Sequence, residues 1–148
     1  MLWSVIAVSV AAGILLQFLE LGRIALTPDH LRLLALVLLV SGLAVRWAAI
    51  LTLGKLFNTN VAVHANHTIV RRGLYGRVRH PSYSGLLLAF AALGLSFGNW
   101  LSLAAVVVPI SAALAYRIRI EERALLEAFG EDYSDYIYAT KRLVPWVY

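Results

Sequence analysis

The chain has 148 residues, of which 61% are hydrophobic and only 14% charged, whereas a soluble domain carries about 25% charged residues. This apolar excess argues against an ordinary soluble domain and predicts an all-α integral membrane protein that forms a single domain over residues 1–148. The absence of cysteine excludes disulfides, thiolate metal sites and a cysteine nucleophile, and the net charge of +5 is interpreted as a topology signal rather than as nucleic-acid binding.

Apolar stretches predict about four transmembrane helices, because crossing the hydrocarbon takes about 20 apolar residues. They cover residues 2–19, 31–53, 82–97 and 101–117. No basic residue precedes the first stretch, which argues against a cleaved signal peptide. Gly98 and Asn99 predict a tight turn between the last two helices. Each arm of that hairpin is short for a full crossing, so we expect a tilted hairpin or a locally thinned bilayer.

Basic residues are concentrated in the loop 54–81 and in the tail 118–148. The loop contains five Lys and Arg residues and no acidic residue, whereas the turn at Gly98 is uncharged. The positive-inside rule therefore places the loop, the tail and both termini in the cytoplasm. Apolar residues in the tail recur at helical spacing, which predicts amphipathic helices that Gly130 divides into two short pieces.

The segment Arg79-His80-Pro81-Ser82-Tyr83 stands at the cytoplasmic start of the third predicted span. Pro81 suits the first position of a helix, where its missing N–H costs nothing. The N–H groups of the next three residues are then expected to be free, and such a helix start favours an anion. The alternative is a plain helix start whose Arg79 side chain extends to the aqueous interface.

Glu121 and Glu122 lie just beyond the fourth predicted span. If the last two spans form a hairpin, the fourth ends at the level where the third begins, which places Arg117, Glu121 and His80 in one pocket. Arg117 and Glu121 share a helix face because they are four residues apart. One cation, one carboxylate and a helix start suit a zwitterionic ligand with hydroxyl groups. The alternative is that both carboxylates are solvated partners of nearby arginines.

Two further groups of residues are candidate sites. His64 and His67 have a spacing that occurs in metal sites, but no Asp, Glu or Cys stands within reach in the loop, so no metal is expected. Arg46 lies within the second predicted span, and two interpretations stay open. It is either a functional intramembrane charge or a side chain that extends to the cytoplasmic interface.

Taken together, these motifs resemble the isoprenylcysteine carboxyl methyltransferase family from about Leu53 to the C-terminus. The resemblance rests on RHPSYSG at 79–85, the carboxylate pair at 121–122, FGEDY at 129–133 and RLVP at 142–145. It implies an integral membrane methyltransferase that uses S-adenosylmethionine. It also implies a cofactor pocket formed by the cytoplasmic loop and tail, and a lipophilic or prenylated substrate that enters from the bilayer.

The resemblance also implies roles for individual residues. The positions that match the family's cofactor contacts are Asn60, His67, Thr68, Ile69, Val70, Tyr75, His80, Pro81, Ser82, Tyr83 and Glu121. Arg117 matches a position that meets the substrate carboxylate. Asn60 departs from the family pattern, because eukaryotic members carry Gln at that place.

The chain is shorter than eukaryotic members of the family and looks like a small prokaryotic member, so a prokaryotic plasma (inner) membrane is expected. The expected reaction is O-methylation of a carboxylate on a lipophilic acceptor. Membrane lipids are the other expected partners, with neither nucleic acid nor metal. Three alternatives stay open: a phospholipid or small-amine N-methyltransferase, an NADPH-dependent sterol-type reductase, and a non-catalytic membrane protein.

Overall fold

The structure is a computed structural model that describes residues 2–54 and 69–144. Over these residues the α-helices are α1 (Leu2–Leu16), α2 (Pro28–Leu53), α3 (Pro81–Ser96), α4 (Trp100–Phe129) and α5 (Glu131–Ala139), with a short 3₁₀ helix at Gly73–Gly76. In these ranges the extended backbone pairs only as isolated bridges, without a named strand. The all-α class predicted from the sequence is confirmed.

The chain divides into two compact units. The first comprises Met1–Ala44 and Gly85–Ala115, and the second comprises Val45–Ser84 and Tyr116–Tyr148. The single domain predicted from the sequence stays a prediction.

The first unit is built from apolar helices in close contact. Its buried side chains include Ala92, Val106 and Ile110. A Cβ atom added at Gly42 of α2 would lie 2.7 Å from the carbonyl oxygen of Gly85 in α3, which is closer than real Cβ atoms approach. Glycine is therefore required at position 42, since it lets two helix backbones touch, as small residues do in membrane helix pairs.

A buried asparagine organises the turn between α3 and α4. Gly98 adopts a φ of 68°, and Asn99 is fully buried. The Asn99 amide donates hydrogen bonds of 3.1 and 3.0 Å to the carbonyl oxygens of Leu19 and Leu21, while its Oδ1 accepts one of 2.8 Å from the N–H of Leu101. The turn predicted at this position is confirmed, and its asparagine also ties down the chain that follows α1.

Two helices, α2 with 26 residues and α4 with 30, are long and apolar enough to cross a membrane by length and composition. The apolar helices α1 and α3 have only 15 and 16 residues. At a rise of 1.5 Å per residue they are about 23 Å long, less than the hydrocarbon thickness of about 30 Å. Among the described residues, two helices are long enough to cross the hydrocarbon. The predicted four crossings therefore stay a prediction.

Some helix boundaries differ from those predicted. Helix α1 ends at Leu16 rather than at residue 19. Helix α4 does not end at residue 117 but continues to Phe129, so the first tail helix is an extension of α4. The polar sequence after residue 117 suggested an end, but the buried positions Ile118 and Glu122 keep the helical period and hold the extension within the second unit. Gly130, with a φ of 54°, separates this extension from α5 as predicted.

We expect Asn99→Ala to lower the free energy of unfolding by about 3 kcal/mol, since it removes three hydrogen bonds of a buried side chain, each contributing about 1 kcal/mol. Thermal unfolding of the detergent-solubilised protein measures this. Ser96→Ala is the matched control, because the Ser96 hydroxyl donates to the carbonyl of Leu93 in an exposed position. Equal stability of the two variants would contradict the role given to Asn99.

Candidate functional site

All described candidate site residues belong to the second unit, where α3 begins. Pro81 is the first residue of α3, and the carbonyl of His80 accepts hydrogen bonds from the N–H groups of Tyr83 (3.0 Å) and Ser84 (3.2 Å). The expectation of three free N–H groups is therefore wrong for Tyr83 and Ser84, because the first turn of the helix closes on the residue before it. An anion at this place has to be held mainly by side chains.

The C-terminal segment runs beside the residues that precede α3. The N–H groups of Arg79 and His80 donate to the carbonyl oxygens of Lys141 (2.7 Å) and Arg142 (2.9 Å). The hydroxyl of Ser84 donates to the carbonyl of Leu143 at 2.6 Å. These bonds fix the start of α3 against the tail.

A buried ion cluster centred on Glu122 stabilises this arrangement. Oε1 of Glu122 accepts a hydrogen bond of 2.8 Å from Nε of Arg79, and Oε2 accepts one of 2.9 Å from Nε of Arg142. Nε2 of His80 lies 3.4 Å from Oε1, at ion-pair distance but outside good hydrogen-bonding geometry. Because the side chains of Arg79 and Glu122 are each only 6% exposed, their pairing satisfies charges that would otherwise be costly to bury.

Arg79 also donates to backbone at the end of α5. Its Nη1 bonds to the carbonyl oxygens of Ile137 and Thr140. The interpretation that Arg79 extends to the aqueous interface is therefore wrong, since the guanidinium is buried and hydrogen-bonded to both a carboxylate and main-chain carbonyls. It joins α4, α5 and the start of α3.

The charge of Glu122 depends on this cluster. Burial by itself raises the pKa of the Glu122 carboxyl, but the adjacent His80 ring and Arg79 guanidinium outweigh it and lower that pKa from 4.5 to about 2. Glu122 is therefore ionised throughout the physiological pH range.

Tyr83 joins the two residues that the sequence placed on one face of α4. Its hydroxyl donates a hydrogen bond of 2.9 Å to Oε2 of Glu121 and accepts one of 2.9 Å from Nε of Arg117. These directions are set by chemistry, since the guanidinium can only donate and the carboxylate can only accept. The ring of His80 stacks on that of Tyr83, with centroids 5.6 Å apart and planes 17° apart.

The adjacent carboxylates Glu121 and Glu122 have different surroundings. Consecutive residues of an α-helix point about 100° apart, so the two side chains face different neighbours. Both oxygens of Glu122 have cationic partners, whereas Oε1 of Glu121 has no hydrogen-bond partner in the part of the chain that the structure describes. Glu121 is the carboxylate that can still accept a hydrogen bond from a ligand, whereas Glu122 stabilises the structure around the site.

The 3₁₀ helix that carries Tyr75 is held by α5. The carbonyl of Tyr75 accepts a hydrogen bond of 2.7 Å from the hydroxyl of Tyr136, and Arg71 lies over the ring of Tyr136 and donates to the carbonyl of Asp132. Burial raises the pKa of the Tyr75 phenol, and the nearby Tyr136 and Glu121 raise it further.

The remaining predicted residues are distributed as follows. Pro81 and Ser82 are buried at the start of α3, and Ile69 and Val70 are half-buried. Four of the residues considered above lie outside the described residues: Asn60, His64, His67 and Thr68. The ligand-binding role given to each residue stays a prediction.

Arg46, whose role the sequence left open, reaches the first turn of α3. Its Nη1 donates to Oγ of Ser82 at 3.1 Å and lies 3.4 Å from the carbonyl oxygen of the same residue.

Sequence reasoning missed the contribution of Glu122 and Arg142 to the site. The available signal was the adjacency of the two carboxylates, which cannot both face one pocket.

The sequence profile described as the isoprenylcysteine carboxyl methyltransferase (ICMT) family matches residues 34–127. The chain is 32% identical over 114 residues to protein-S-isoprenylcysteine O-methyltransferase A of Arabidopsis thaliana, covering 76% of this chain and 58% of that protein. It is 32% identical over 120 residues to protein-S-isoprenylcysteine O-methyltransferase of Saccharomyces cerevisiae, covering 80% of this chain and 50% of that protein.

Among solved structures, the chain is similar to the eukaryotic intramembrane Ras methyltransferase ICMT. The TM-score is 0.79 and the sequence identity 27%, and the match covers 98% of this chain and 52% of the other. The chain thus spans between 50% and 58% of the length of these relatives. The profile match includes Arg46, Tyr83, Arg117 and the adjacent carboxylates Glu121 and Glu122.

We expect Glu122→Gln to lower the free energy of unfolding by about 3 to 5 kcal/mol, because it leaves Arg79 buried without its counter-ion. Chemical or thermal unfolding in detergent measures the loss. Glu127→Gln, an exposed position on the same helix, is the control and should change stability by less than about 0.5 kcal/mol. A small effect of Glu122→Gln would show that the cluster does not stabilise the fold.

The stabilisation by Glu122 should also depend on pH. Because its pKa falls from 4.5 to about 2 on folding, the stabilisation is complete above pH 4.5 and disappears as the pH falls through 2. We expect the difference in unfolding free energy between wild type and Glu122→Gln to be constant near neutrality and to shrink below about pH 4.5. A difference that vanishes at pH 6 would contradict this assignment.

Proposed function

The chain belongs to the isoprenylcysteine carboxyl methyltransferase family, and from this premise we propose that it is an integral membrane methyltransferase. We infer that it uses S-adenosylmethionine to methylate a carboxylate on a lipophilic acceptor. The observation that carries this proposal is the Tyr83 hydroxyl, which bridges the cation Arg117 and the carboxylate Glu121. The cation Arg117 suits an anionic acceptor, and the carboxylate Glu121 suits a positively charged methyl donor. Because both are bonded to the same hydroxyl, the two ligands would lie side by side.

Arg117 is the residue we assign to the acceptor. A guanidinium binds a carboxylate through directed, charge-assisted hydrogen bonds, and it positions the acceptor oxygen toward the methyl group. Its Nε is held by Tyr83, which restricts the orientation of the guanidinium plane. Orientation is the main contribution needed, because an ionised carboxylate is already a nucleophile.

Glu121 is the residue we assign to the cofactor. S-adenosylmethionine supplies an electrophilic methyl group on a positively charged sulfonium, and it also carries an amino group and ribose hydroxyls. The half-buried carboxylate of Glu121 fits such a ligand, because Oε2 is oriented by Tyr83 while Oε1 has no hydrogen-bond partner among the described residues.

The surroundings of the candidate bases favour a carboxylate acceptor over an amine. An amine acceptor needs a group that takes up a proton, and the candidates were His80 and a tail tyrosine. Nε2 of His80 faces Glu122 inside the ion cluster, and burial raises the pKa of Tyr136 to about 12. Tyr136 therefore stays protonated at neutral pH and serves the framework as a donor to Tyr75.

We propose four membrane crossings by α1, α2, α3 and α4, with both termini cytoplasmic in a prokaryotic plasma membrane. Large apolar side chains along α2 support this, because Leu33, Val37 and Val40 are exposed where lipid would cover them. The short helices α1 and α3 are then accommodated by tilt or by local thinning of the bilayer.

The test of the cofactor assignment is calorimetric binding of S-adenosylmethionine to detergent-purified protein. We expect saturable binding that Glu121→Gln weakens by about tenfold or more, the cost of a charge-assisted hydrogen bond. Glu127→Gln, which lies further along α4, is the matched control and should bind normally. Absence of binding to folded protein, or binding of NADPH instead, would overturn the methyltransferase proposal.

The division of labour between the two charged residues has its own test. Arg117→Ala should raise the acceptor KM or lower kcat, while cofactor affinity stays close to that of the wild type. Tyr83→Phe should impair both functions, because it removes the hydroxyl that orients both side chains. Steady-state kinetics with a prenylated cysteine, combined with calorimetry, measure these effects. Equal loss of cofactor and acceptor binding in Arg117→Ala would contradict the assignment.

A further inference from the structure

One face of α4 beyond the site is exposed and carries both apolar and basic side chains. Tyr116, Arg119, Ile120 and Arg123 are all exposed, and their spacing of three, one and three residues places them on one side of the helix. The opposite side, with Ile118 and Glu122, is buried. We call the four exposed residues the basic stripe.

The two arginines of the basic stripe have no carboxylate within ion-pair distance in the described part of the chain. The exposed arginines near the start of α2 differ, since Arg23 pairs with Glu20 and Arg32 with Asp29. Within the described residues, two cations one turn apart without a carboxylate partner therefore form a local positive charge that an external anion can neutralise.

The position of the basic stripe along α4 indicates where that anion lies. At a rise of 1.5 Å per residue, Arg119 and Arg123 are about 28 and 35 Å along the axis from Trp100. The hydrocarbon is about 30 Å thick, and with both headgroup layers the bilayer measures about 40–45 Å. If Trp100 lies at one interface, as interfacial tryptophans do, Arg123 is level with the headgroups of the opposite leaflet, and Arg119 lies at the edge of the hydrocarbon, from where its long side chain reaches the headgroups.

We propose that the basic stripe binds the headgroup of an anionic phospholipid. Tyr116 and Ile120 lie beside the arginines and contact the upper part of the acyl chains, while the guanidinium groups bind the phosphate. A net negative lipid is required, because the ammonium of a zwitterionic headgroup cancels much of the phosphate's attraction. Arg117 and Glu121 lie on α4 between the residues of the basic stripe. The bound lipid therefore also stabilises the part of the helix that carries them.

This inference rests on the proposed membrane location but not on the proposed reaction. The test is titration of detergent-purified protein with dioctanoyl phosphatidylglycerol and, separately, with dioctanoyl phosphatidylcholine. We expect tighter binding of phosphatidylglycerol, and we expect Arg119→Gln with Arg123→Gln to weaken it by about tenfold without changing phosphatidylcholine binding. Arg119→Lys with Arg123→Lys should keep most of the preference.

The matched control is Arg23→Gln with Arg32→Gln, which removes two exposed but paired arginines and should leave the preference intact. A wild type without preference for phosphatidylglycerol, or a glutamine double variant that keeps it, would overturn the proposal. Cofactor binding measured on the same samples separates the two hypotheses. Lipid preference without cofactor binding would contradict only the proposed reaction, and cofactor binding without lipid preference only the lipid site.

Discussion

The burial of one negative charge constrains the whole second unit. Glu122 is nearly inaccessible to water, so its carboxylate is tolerable only while Arg79 and Arg142 remain bonded to it. These partners come from the start of α3 and from the C-terminal segment, which are far apart in sequence. The extension of α4, the start of α3 and the C-terminal segment must therefore assemble together. If one of them is missing, a buried charge loses a counter-ion.

The candidate site follows from that assembly. With Arg79 held, the first turn of α3 has a defined position, and Tyr83 points its hydroxyl toward α4. A phenol has one proton to donate, so its bond to Glu121 leaves its oxygen as the acceptor for Arg117. The framework carboxylate and the ligand-facing carboxylate are neighbours in sequence, and the helical rotation between them separates their tasks.

The two units differ in how they satisfy polar groups. In the first, Asn99 satisfies the carbonyls around the turn, while glycine at position 42 permits close contact between helix backbones. In the second, charged side chains bind one another and the backbone around the start of α3. The exposed apolar side chains of α2 are those that lipid covers in the proposed membrane location.

Composition and local pattern alone determined the helical class, the turn at Asn99, the break at Gly130 and the shared face of Arg117 and Glu121. Each depends on neighbours within about four residues, which a sequence displays directly. The end of α4 and the role of Glu122 were decided only by tertiary structure. Arg79 and Arg142 lie 43 and 20 residues from that carboxylate. The spacing of residues along the chain does not predict such pairings. The free-energy cost of burying the Glu122 carboxylate depends on counter-ions from segments that are distant in sequence.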